Sequence, residues 1–275
     1  MTPPKIVRFG ETVGPAFYYF HGSPGSPREI EAFDAVAKAQ GVRLIAIDRG
    51  KFDRQLVGEG YFQALGARVL EDAGNGPIRF IGFSLGGSVA LRVANCLQER
   101  LASLDLISAA APLQTADYLH TMAGKPVFEL AAKSLLGFRA LTGAQGLAAR
   151  LAADLLYSAL FGTASGQDRS LSQEPEFKAR LQKVLVESLG SGQAGYVRDV
   201  LAYVQPWSVP ALPSSIRCRI WHGDADNWSP PAMVNALALG IGSQVELMLL
   251  PDQSHYSCLE MAMAAIIAGS VDAYP

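Results

Sequence analysis

The sequence predicts an α/β fold in which helices cover both faces of a mostly parallel sheet, with one helical insertion. Three observations support this prediction. Short apolar runs alternate with helical stretches over most of the chain, which is the order of a parallel sheet with helical crossovers. Between about residues 113 and 205 the strand-like runs stop and the sequence is helical in character. The length of 275 residues suits one large domain that carries such an insertion.

Composition excludes several classes of protein. Hydrophobic residues make up 49% of the chain and charged residues 17%, below the usual ~25%, which is typical of a compact globule with much apolar surface to bury. A net charge of −2 gives no indication of nucleic acid or an anionic membrane as partner. No signal core and no apolar run of the ~20 residues that cross a bilayer is present. Three widely spaced cysteines favour reduced thiols and a cytoplasmic location.

The first part of the chain alternates strands and helices. Residues 6–9 and 16–20 are predicted as strands, and we expect Gly14-Pro15 to turn them into a hairpin that adds antiparallel strands at one edge. Ser26-Pro27-Arg28-Glu29 has the pattern of a capping box with proline at the first helical position, and Gly41 ends this helix. Further strands are predicted over 43–47, 78–81 and 104–107, and helices over 61–72 and 88–98.

The second part contains the insertion and then resumes the alternation. Helices are predicted over 127–161 and 176–189, followed by strands over 218–223 and 245–250 and helices over 230–239 and 259–268. We therefore divide the chain into a core of residues 1–112 and 206–275 and an insertion of residues 113–205. An insertion that follows a strand at the carboxyl end of a parallel sheet lies over the ligand crevice, so a lid is expected. An extra helical layer without a gating role is the alternative.

The stretch Gly82-Phe83-Ser84-Leu85-Gly86 contains the candidate nucleophile. A buried strand precedes it and a helix follows, so Ser84 is expected at the apex of a strained turn with its hydroxyl exposed at the carboxyl edge of the sheet. Glycine on both sides lets strand and helix pass without Cβ clashes. The Leu85 N–H would point from the start of the helix toward the group under attack.

Serine needs a base to become a good nucleophile, and that base is most often histidine. Of the four histidines, His21 and His222 are expected to be structural, and His120 lies in the insertion. His255 remains, in a loop after the last core strand and on the same side of the sheet as Ser84.

A carboxylate must fix the tautomer of this histidine and stabilise its charged form. Asp224 and Asp226 both follow the strand over 218–223, and the order serine, acid, histidine is the one expected on this architecture. Asp226 is preferred. Asp224 remains an alternative acid and would otherwise cap a turn.

A tetrahedral intermediate needs hydrogen-bond donors for its negative oxygen. The Leu85 N–H is one candidate. The Ser23 N–H is the other, because Pro24 cannot donate and Gly22 and Gly25 let the backbone approach closely. An ordinary Gly/Pro turn is the alternative interpretation of this segment.

Taken together, these motifs resemble the α/β-hydrolase superfamily. They comprise His21-Gly22-Ser23-Pro24-Gly25, Gly82-Phe83-Ser84-Leu85-Gly86-Gly87, and Trp221-His222-Gly223-Asp224-Ala225-Asp226 with Pro230 beyond, then a histidine after a strand. The chain is similar to the lid-bearing esterase, haloperoxidase-like and aminopeptidase-like branch, and the likeness covers nearly everything except the lid. It implies Ser84 as nucleophile, Asp226 as acid, His255 as base, and an oxyanion hole of the Ser23 and Leu85 N–H groups.

One loop departs from this pattern. Relatives usually carry Asp-Arg-Pro-Gly-aromatic-Gly-x-Ser after the third strand, whereas this chain reads Asp48-Arg49-Gly50-Lys51-Phe52-Asp53-Arg54-Gln55. The proline is missing, the glycine is displaced, and two extra charges enter a loop expected at the floor of the site. A serine at the apex of the turn also argues against haloalkane dehalogenase and epoxide hydrolase relatives, which use aspartate there.

The sequence thus predicts a serine hydrolase that cleaves an ester or related acyl bond through an acyl-enzyme on Ser84. The insertion is strongly apolar, which favours a small to medium apolar substrate unless these side chains only pack helices together. They are Leu135, Leu136, Phe138, Leu141, Leu147, Leu151, Leu155, Leu156, Tyr157, Leu160 and Phe161.

Other functions on the same fold remain open. An aminopeptidase would need carboxylates in the insertion to hold an α-ammonium group, for which Glu129, Asp154, Asp168 and Glu174 are candidates. A ligand-binding sensor without turnover and a cofactor-free lyase or oxygenase with His255 as base are further alternatives. No metal or organic cofactor is implied. The expected partner is a small-molecule substrate, with neither nucleic acid nor a membrane, and a homodimer is left open.

Overall fold

The computed structural model describes residues 5–97, 99–242 and 244–273. Its strands are β1 (Ile6–Gly10), β2 (Ala16–Phe20), β3 (Arg43–Ile47), β4 (Ile78–Phe83), β5 (Leu101–Ile107), β6 (Arg217–Gly223) and β7 (Val245–Leu250). In the described chain they form one seven-stranded sheet in the order β1-β3-β2-β4-β5-β6-β7. The pair of β1 and β3 is antiparallel and every other neighbouring pair is parallel. The predicted α/β fold is therefore confirmed.

Helices connect these strands and fill the insertion. They are α1 (Asp34–Ala39), α2 (Gly58–Ala73), α3 (Leu85–Cys96), α4 (Lys125–Lys133), α5 (Leu135–Leu151), α6 (Ala153–Phe161), α7 (Asp168–Leu171), α8 (Pro175–Leu189), α9 (Gln193–Val204), α10 (Met233–Ile241) and α11 (His255–Ala273). The helices α4 to α9 lie between β5 and β6. The helix predicted over 88–98 starts earlier, at Leu85, and its predicted last residue, Gln98, lies outside the described residues. No helix in the described ranges is both long and apolar enough to cross a membrane.

The predicted hairpin of β1 and β2 is wrong, because β3 lies between these two strands. All five residues of β2 are buried, so β2 needs partners on both edges and pairs in parallel with β3 and β4. The link from β1 to β2 crosses the start of β3, where the Glu11 N–H donates to Val42 O at 2.8 Å and the Arg43 N–H to Pro15 O at 2.9 Å. The crossing leaves β1 as the antiparallel edge strand.

Two hydrophobic cores lie on opposite faces of the sheet. Along β2, Tyr18 and Phe20 join the core that α2 and α3 cover, whereas Phe17 and Tyr19 join the core beneath α1 and α11. This is the alternation that strand geometry requires. The insertion contributes buried side chains to both cores, for example Phe138 to the first and Phe161, Phe177 and Leu181 to the second.

Several leucines of the insertion face solvent instead of a binding site. The exposed group comprises Leu135, Leu136, Leu147, Leu151 and Leu155. Leu136 and Leu151 are 78% and 77% exposed, whereas Phe138, Tyr157 and Phe161 are buried. The apolar composition of the insertion is therefore a poor guide to what lies beneath it, since part of it neither packs nor lines the site.

Candidate active site

Ser84 lies at the turn between β4 and α3 with a strained backbone. Its φ is 55° and its ψ is −129°, a combination that non-glycine residues rarely adopt. Neighbouring strand ends hold this conformation: the Ser84 N–H donates to Ile107 O at 3.0 Å, and Ser84 O accepts from the Ala110 N–H at 3.3 Å. Ser84 as a whole is only 8% exposed, so its surroundings cover most of the residue.

Glycine is required where the end of β2 meets the first turn of α3. A Cβ on Gly86 would overlap the carbonyl oxygens of Phe20 and His21. This close approach brings the turn that contains Ser23 alongside Leu85, the first residue of α3. Within the described part of the chain, neither the Ser23 nor the Leu85 N–H donates a hydrogen bond, so both remain open to an oxyanion.

Asp226 and His255 are hydrogen-bonded, with 2.8 Å between Asp226 Oδ2 and His255 Nδ1. The other carboxylate oxygen, Oδ1, accepts from the N–H groups of Trp228 at 2.8 Å and Ser229 at 2.9 Å. Burial opposes ionisation of Asp226, yet the attraction of His255 and these hydrogen bonds hold its pKa below the ordinary value. A neutral His255 that donates from Nδ1 has no proton on Nε2, the tautomer a general base needs.

The imidazole of His255 lies beside the residue that precedes the serine. Its ring centroid is 4.8 Å from that of Phe83, and the Ser108 hydroxyl donates to His255 O at 3.3 Å. The Trp228 ring stacks on the imidazole with 6.0 Å between centroids. His255 is 3% exposed. Three separate segments, after β4, β6 and β7, thus meet at the carboxyl edge of the sheet.

Asp224 has a different role in the structure from Asp226. It is exposed, and its Oδ1 accepts from the Asp252 N–H at 2.7 Å, which ties together the loops after β6 and β7. The structure thus brings Asp226, and not Asp224, to His255.

The remaining histidines have other surroundings. His21 Nδ1 lies 2.8 Å from Gly22 O, and burial, followed by the charge of Arg49, lowers the pKa of His21 to about 3. His222 Nε2 lies 2.7 Å from Ser229 O, and burial lowers the pKa of this ring too. His120 is exposed.

An ion pair between Arg49 and Asp199 lies beneath the turn of residues 21–25, which contains the candidate oxyanion donor Ser23 and is called the oxyanion turn below. Sequence reasoning missed this pair. Arg49 donates from Nη2 at 2.8 Å and from Nε at 2.9 Å to Asp199 Oδ2, and it also donates to His21 O at 2.8 Å. The hydroxyls of Ser23 and Tyr61 donate to the Asp199 carboxylate at 3.2 and 3.1 Å. Although burial opposes ionisation of Asp199, Arg49 and other nearby cations hold its pKa below the ordinary value.

The atypical loop does not place its extra charges in the site. Arg49 is fully buried, but Lys51 and Arg54 are exposed, and Lys51 lies 3.5 Å from Asp48. Gly50 packs against the start of α9, where a Cβ would lie 2.8 Å from Gly192 Cα. The loop follows the surface of the insertion, which explains a small residue at this position.

Glu29 does not close the predicted capping box. Ser26 Oγ accepts from the Arg28 N–H at 3.3 Å, but Glu29 Oε2 accepts from the Gly22 N–H and the Tyr19 hydroxyl, both at 2.9 Å. Burial raises the pKa of Glu29 to about 7, although both hydrogen bonds favour the ionised form. Glu29 therefore braces the oxyanion turn from inside the protein.

The carboxylates of the insertion are not arranged to hold an ammonium group. Glu129 is partly buried and Asp154 is exposed, and both are paired with lysines. Asp168 is buried, and its two oxygens accept from the N–H groups of Tyr256 and Ser257. Glu174 is exposed at the start of α8. In the described ranges, no group of three or more His, Cys, Asp or Glu side chains is arranged to hold a metal ion.

A cavity of about 710 Å³ lies away from these residues, between α2, α3 and α9. Phe62, Arg92 and Trp207 are among its lining residues. Since it contains neither a nucleophile beside a base nor any of the predicted site residues, its size does not make it the better candidate for catalysis.

Comparisons with known proteins identify the fold. A family model described as the alpha/beta hydrolase family matches residues 18–268. A search of curated proteins finds no match. Among solved structures, the chain is similar to an esterase (EaEST) from Exiguobacterium antarcticum, at 16% identity and a TM-score of 0.68, covering 98% of this chain and 96% of that one.

Two further structures are similar over the whole chain. The enol-lactonase from Burkholderia xenovorans LB400 has 18% identity and a TM-score of 0.64, with 98% of this chain and 95% of that one covered. MenH from S. aureus has 17% identity and a TM-score of 0.64, with 99% and 98% covered. At these identities the likeness shows a shared fold alone.

Proposed function

Because the chain belongs to the alpha/beta hydrolase family, we propose that it is a serine hydrolase that cleaves an ester or related acyl bond through an acyl-enzyme on Ser84. The observation that carries the proposal is the hydrogen bond of 2.8 Å between Asp226 Oδ2 and His255 Nδ1, beside the strained turn of Ser84. A paired imidazole next to an elbow serine is an arrangement suited to nucleophilic catalysis.

In the proposed reaction, His255 Nε2 takes the proton from Ser84 Oγ as this oxygen attacks the substrate carbonyl carbon. The oxyanion accepts hydrogen bonds from the Leu85 and Ser23 N–H groups, and Asp226 stabilises the imidazolium. The imidazolium then gives its proton to the leaving alcohol, and the ester bond breaks to leave an acyl-serine. Water, deprotonated by His255, attacks the acyl group and releases the acid and the free serine.

A small to medium apolar acyl or alkyl group fits the surroundings of His255. Three aromatic rings lie around the imidazole, those of Phe83, Tyr256 and Trp228, with centroids 4.8 to 6.0 Å away. In this proposal residues 113–205 form a lid over a hydrolase core of residues 1–112 and 206–275. The low exposure of Ser84 and His255 supports a lid that must open for substrate to enter.

A series of p-nitrophenyl esters with short to medium acyl chains, together with a simple lactone, tests the proposal. We expect Ser84→Ala to lose turnover by several orders of magnitude and keep its fold. Ser103→Ala is the matched control, because Ser103 is a buried serine whose hydroxyl has no partner in the described chain. Retention of most activity in Ser84→Ala would refute the nucleophile and favour a cofactor-free mechanism based on His255.

A fluorophosphonate probe provides a substrate-independent readout. Mass-shift labelling of wild type but not of Ser84→Ala would identify a competent nucleophile even where every ester tested is a poor substrate. Absence of both labelling and turnover would contradict the serine hydrolase and favour a non-catalytic binding protein on this fold. A prolyl amide that outperforms the esters would favour an aminopeptidase, against the positions of the insertion carboxylates.

A further inference from the structure

Residues 163–168, which follow α6 in the insertion and end at the first residue of α7, are called the strap below and contact the loop that carries Asp226. The Asn227 side chain donates from Nδ2 to Thr163 O at 2.6 Å. The Ser165 hydroxyl donates to Ala225 O, also at 2.6 Å. The strap therefore holds the residues on both sides of Asp226.

The strap also contacts the loop that leads to His255. The Gln167 N–H donates to Asp252 O at 2.9 Å, and the hydroxyls of Ser165 and Ser254 lie 3.0 Å apart. Gly166 has a φ of 47°, and a Cβ there would overlap Asp252 O and lie 2.8 Å from Ala225 Cβ. The strap thus fits tightly where the loops after β6 and β7 meet.

Asp168 ends the strap and caps the helix that begins with His255. Its carboxylate is buried, and it accepts from the Ser257 N–H at 2.7 Å and from the Tyr256 N–H at 3.0 Å. The first N–H groups of a helix have no partner within the helix and favour negative charge. Asp168 therefore anchors the backbone of the two residues that directly follow His255.

We propose that Asp168 is a positioning residue for His255, so that the insertion helps to build the catalytic site as well as cover it. The inference rests on the proposed role of His255 as general base. Asp226 fixes the imidazole ring through Nδ1, whereas the anchored first turn of α11, together with the bond from the Ser108 hydroxyl to His255 O, fixes the backbone from which that ring extends. A small displacement of a catalytic group can reduce the rate about 100-fold, so loosening this turn affects turnover more than binding.

The test compares Asp168→Asn and Asp168→Ala with wild type in the full chain. Asparagine has the same size as aspartate but can accept from only one of the two N–H groups. Asp168→Asn therefore provides a folded variant for the comparison if Asp168→Ala does not fold. Ser134→Ala is the matched control. Ser134 Oγ caps α5 of the same insertion by accepting from the Gly137 N–H at 3.0 Å, and it has no contact with His255 in the described residues.

The first readout does not depend on activity. In protein that contains ¹⁵N-labelled histidine, the proton between His255 Nδ1 and Asp226 should give a far-downfield ¹H NMR resonance. This resonance should disappear in Asp226→Asn. We expect this resonance to broaden, or its proton to exchange faster, in both Asp168 variants and to stay unchanged in Ser134→Ala. An unchanged resonance in both Asp168 variants would overturn the proposal.

The second readout is ester turnover. We expect kcat to fall about 10- to 100-fold in Asp168→Asn, with KM within about twofold of wild type, while Ser134→Ala keeps both values. Equal losses of kcat in Asp168→Asn and Ser134→Ala would mean that Asp168 has a structural role alone and would overturn the proposal. If wild type neither turns over esters nor reacts with the fluorophosphonate, the proposed function fails, and the NMR comparison still decides whether Asp168 positions His255.

Discussion

At the scale of the residue, the Asp226 carboxylate binds both the imidazole of His255 and the backbone of its own loop. One oxygen accepts from His255 Nδ1 and the other accepts from two backbone N–H groups, so the carboxylate cannot rotate away from the imidazole. The nearby Asp224 instead receives a backbone N–H from the following loop. Two aspartates separated by one residue therefore differ in what their side chains orient.

Substitution of each aspartate should separate these roles. In Asp226→Asn we expect kcat to fall by a factor of about 10⁴ because the amide favours the wrong tautomer of His255. Asp224→Asn, the matched control, should retain kcat within about threefold, since it loses only a charge on an exposed turn. Ester hydrolysis at saturating substrate measures both. A larger loss in Asp224→Asn than in Asp226→Asn would reverse the choice of acid.

Glu29 should make stability depend on pH. Folding raises its pKa from 4.5 to about 7 because the carboxyl is buried, so the folded chain holds the proton more tightly. The stabilisation of the folded state by this proton is complete below about pH 4.5 and is lost as the pH rises to about 7. Relative to Glu29→Gln, the unfolding free energy of wild type should therefore fall across this window by up to about 3 kcal/mol.

Urea unfolding at a series of pH values measures this difference. Glu31→Gln is the control, since Glu31 is exposed and forms a surface ion pair with Arg28, which should contribute little. Parallel stability curves for wild type and Glu29→Gln would show that folding does not change the pKa of Glu29 and would contradict the prediction.

At the scale of the element, the loop after β3 and helix α9 form one unit through the pair of Arg49 and Asp199. Both side chains are buried, and Arg198 extends the contact by donating to Arg49 O at 2.7 Å while lying 3.9 Å above the Tyr61 ring. A buried ion pair by itself adds little net stability, but removal of one partner destabilises the fold because it leaves the other charge buried and uncompensated. The pair therefore fixes how the insertion sits on the oxyanion turn.

Arg49→Met should lower the unfolding free energy by about 3–5 kcal/mol, since Asp199 would remain buried without its cation. Lys51→Met is the matched control in the same loop, because Lys51 is half-exposed and its surface pair should be worth less than about 1 kcal/mol. Chemical denaturation measures both. Equal effects of the two substitutions would contradict the structural importance of the buried pair.

At the scale of the whole molecule, the insertion is integrated with the core. Phe138 of α5 and Tyr203 of α9 belong to the same hydrophobic core as α2 and α3, while Phe161 of α6 packs near Tyr256 of α11 with 5.6 Å between ring centroids. A lid that moves must therefore move in part, at segments outside these contacts, because shared cores do not come apart without unfolding.

We expect denaturation to show a single transition in which insertion and core unfold together. Phe138→Ala, at a position that is 0% exposed, should lower the unfolding free energy by about 3–5 kcal/mol. Leu136→Ala, at a position 78% exposed in the same helix, should change it by less than about 0.5 kcal/mol. Tryptophan fluorescence and far-UV circular dichroism follow the transition. Two separated transitions would show an insertion that folds independently.

The sequence by itself determined the α/β class, the helical insertion between the fifth and sixth strands, and the order along the chain of the candidate serine, acid and histidine. These features follow from local rules. Apolar periodicity distinguishes a buried strand from a helix, and the glycines around Ser84 mark a turn that only small neighbours permit.

Only the tertiary structure decided which distant residues meet. It placed β3 between β1 and β2, turned Glu29 from a helix cap into a brace for the oxyanion turn, and paired Arg49 with Asp199. It also set Asp168 at the start of α11 and left Leu136 in solvent. The physical reason is that a local pattern shows which face of an element is apolar, whereas strand order and the partners of buried charges depend on segments far apart in the chain.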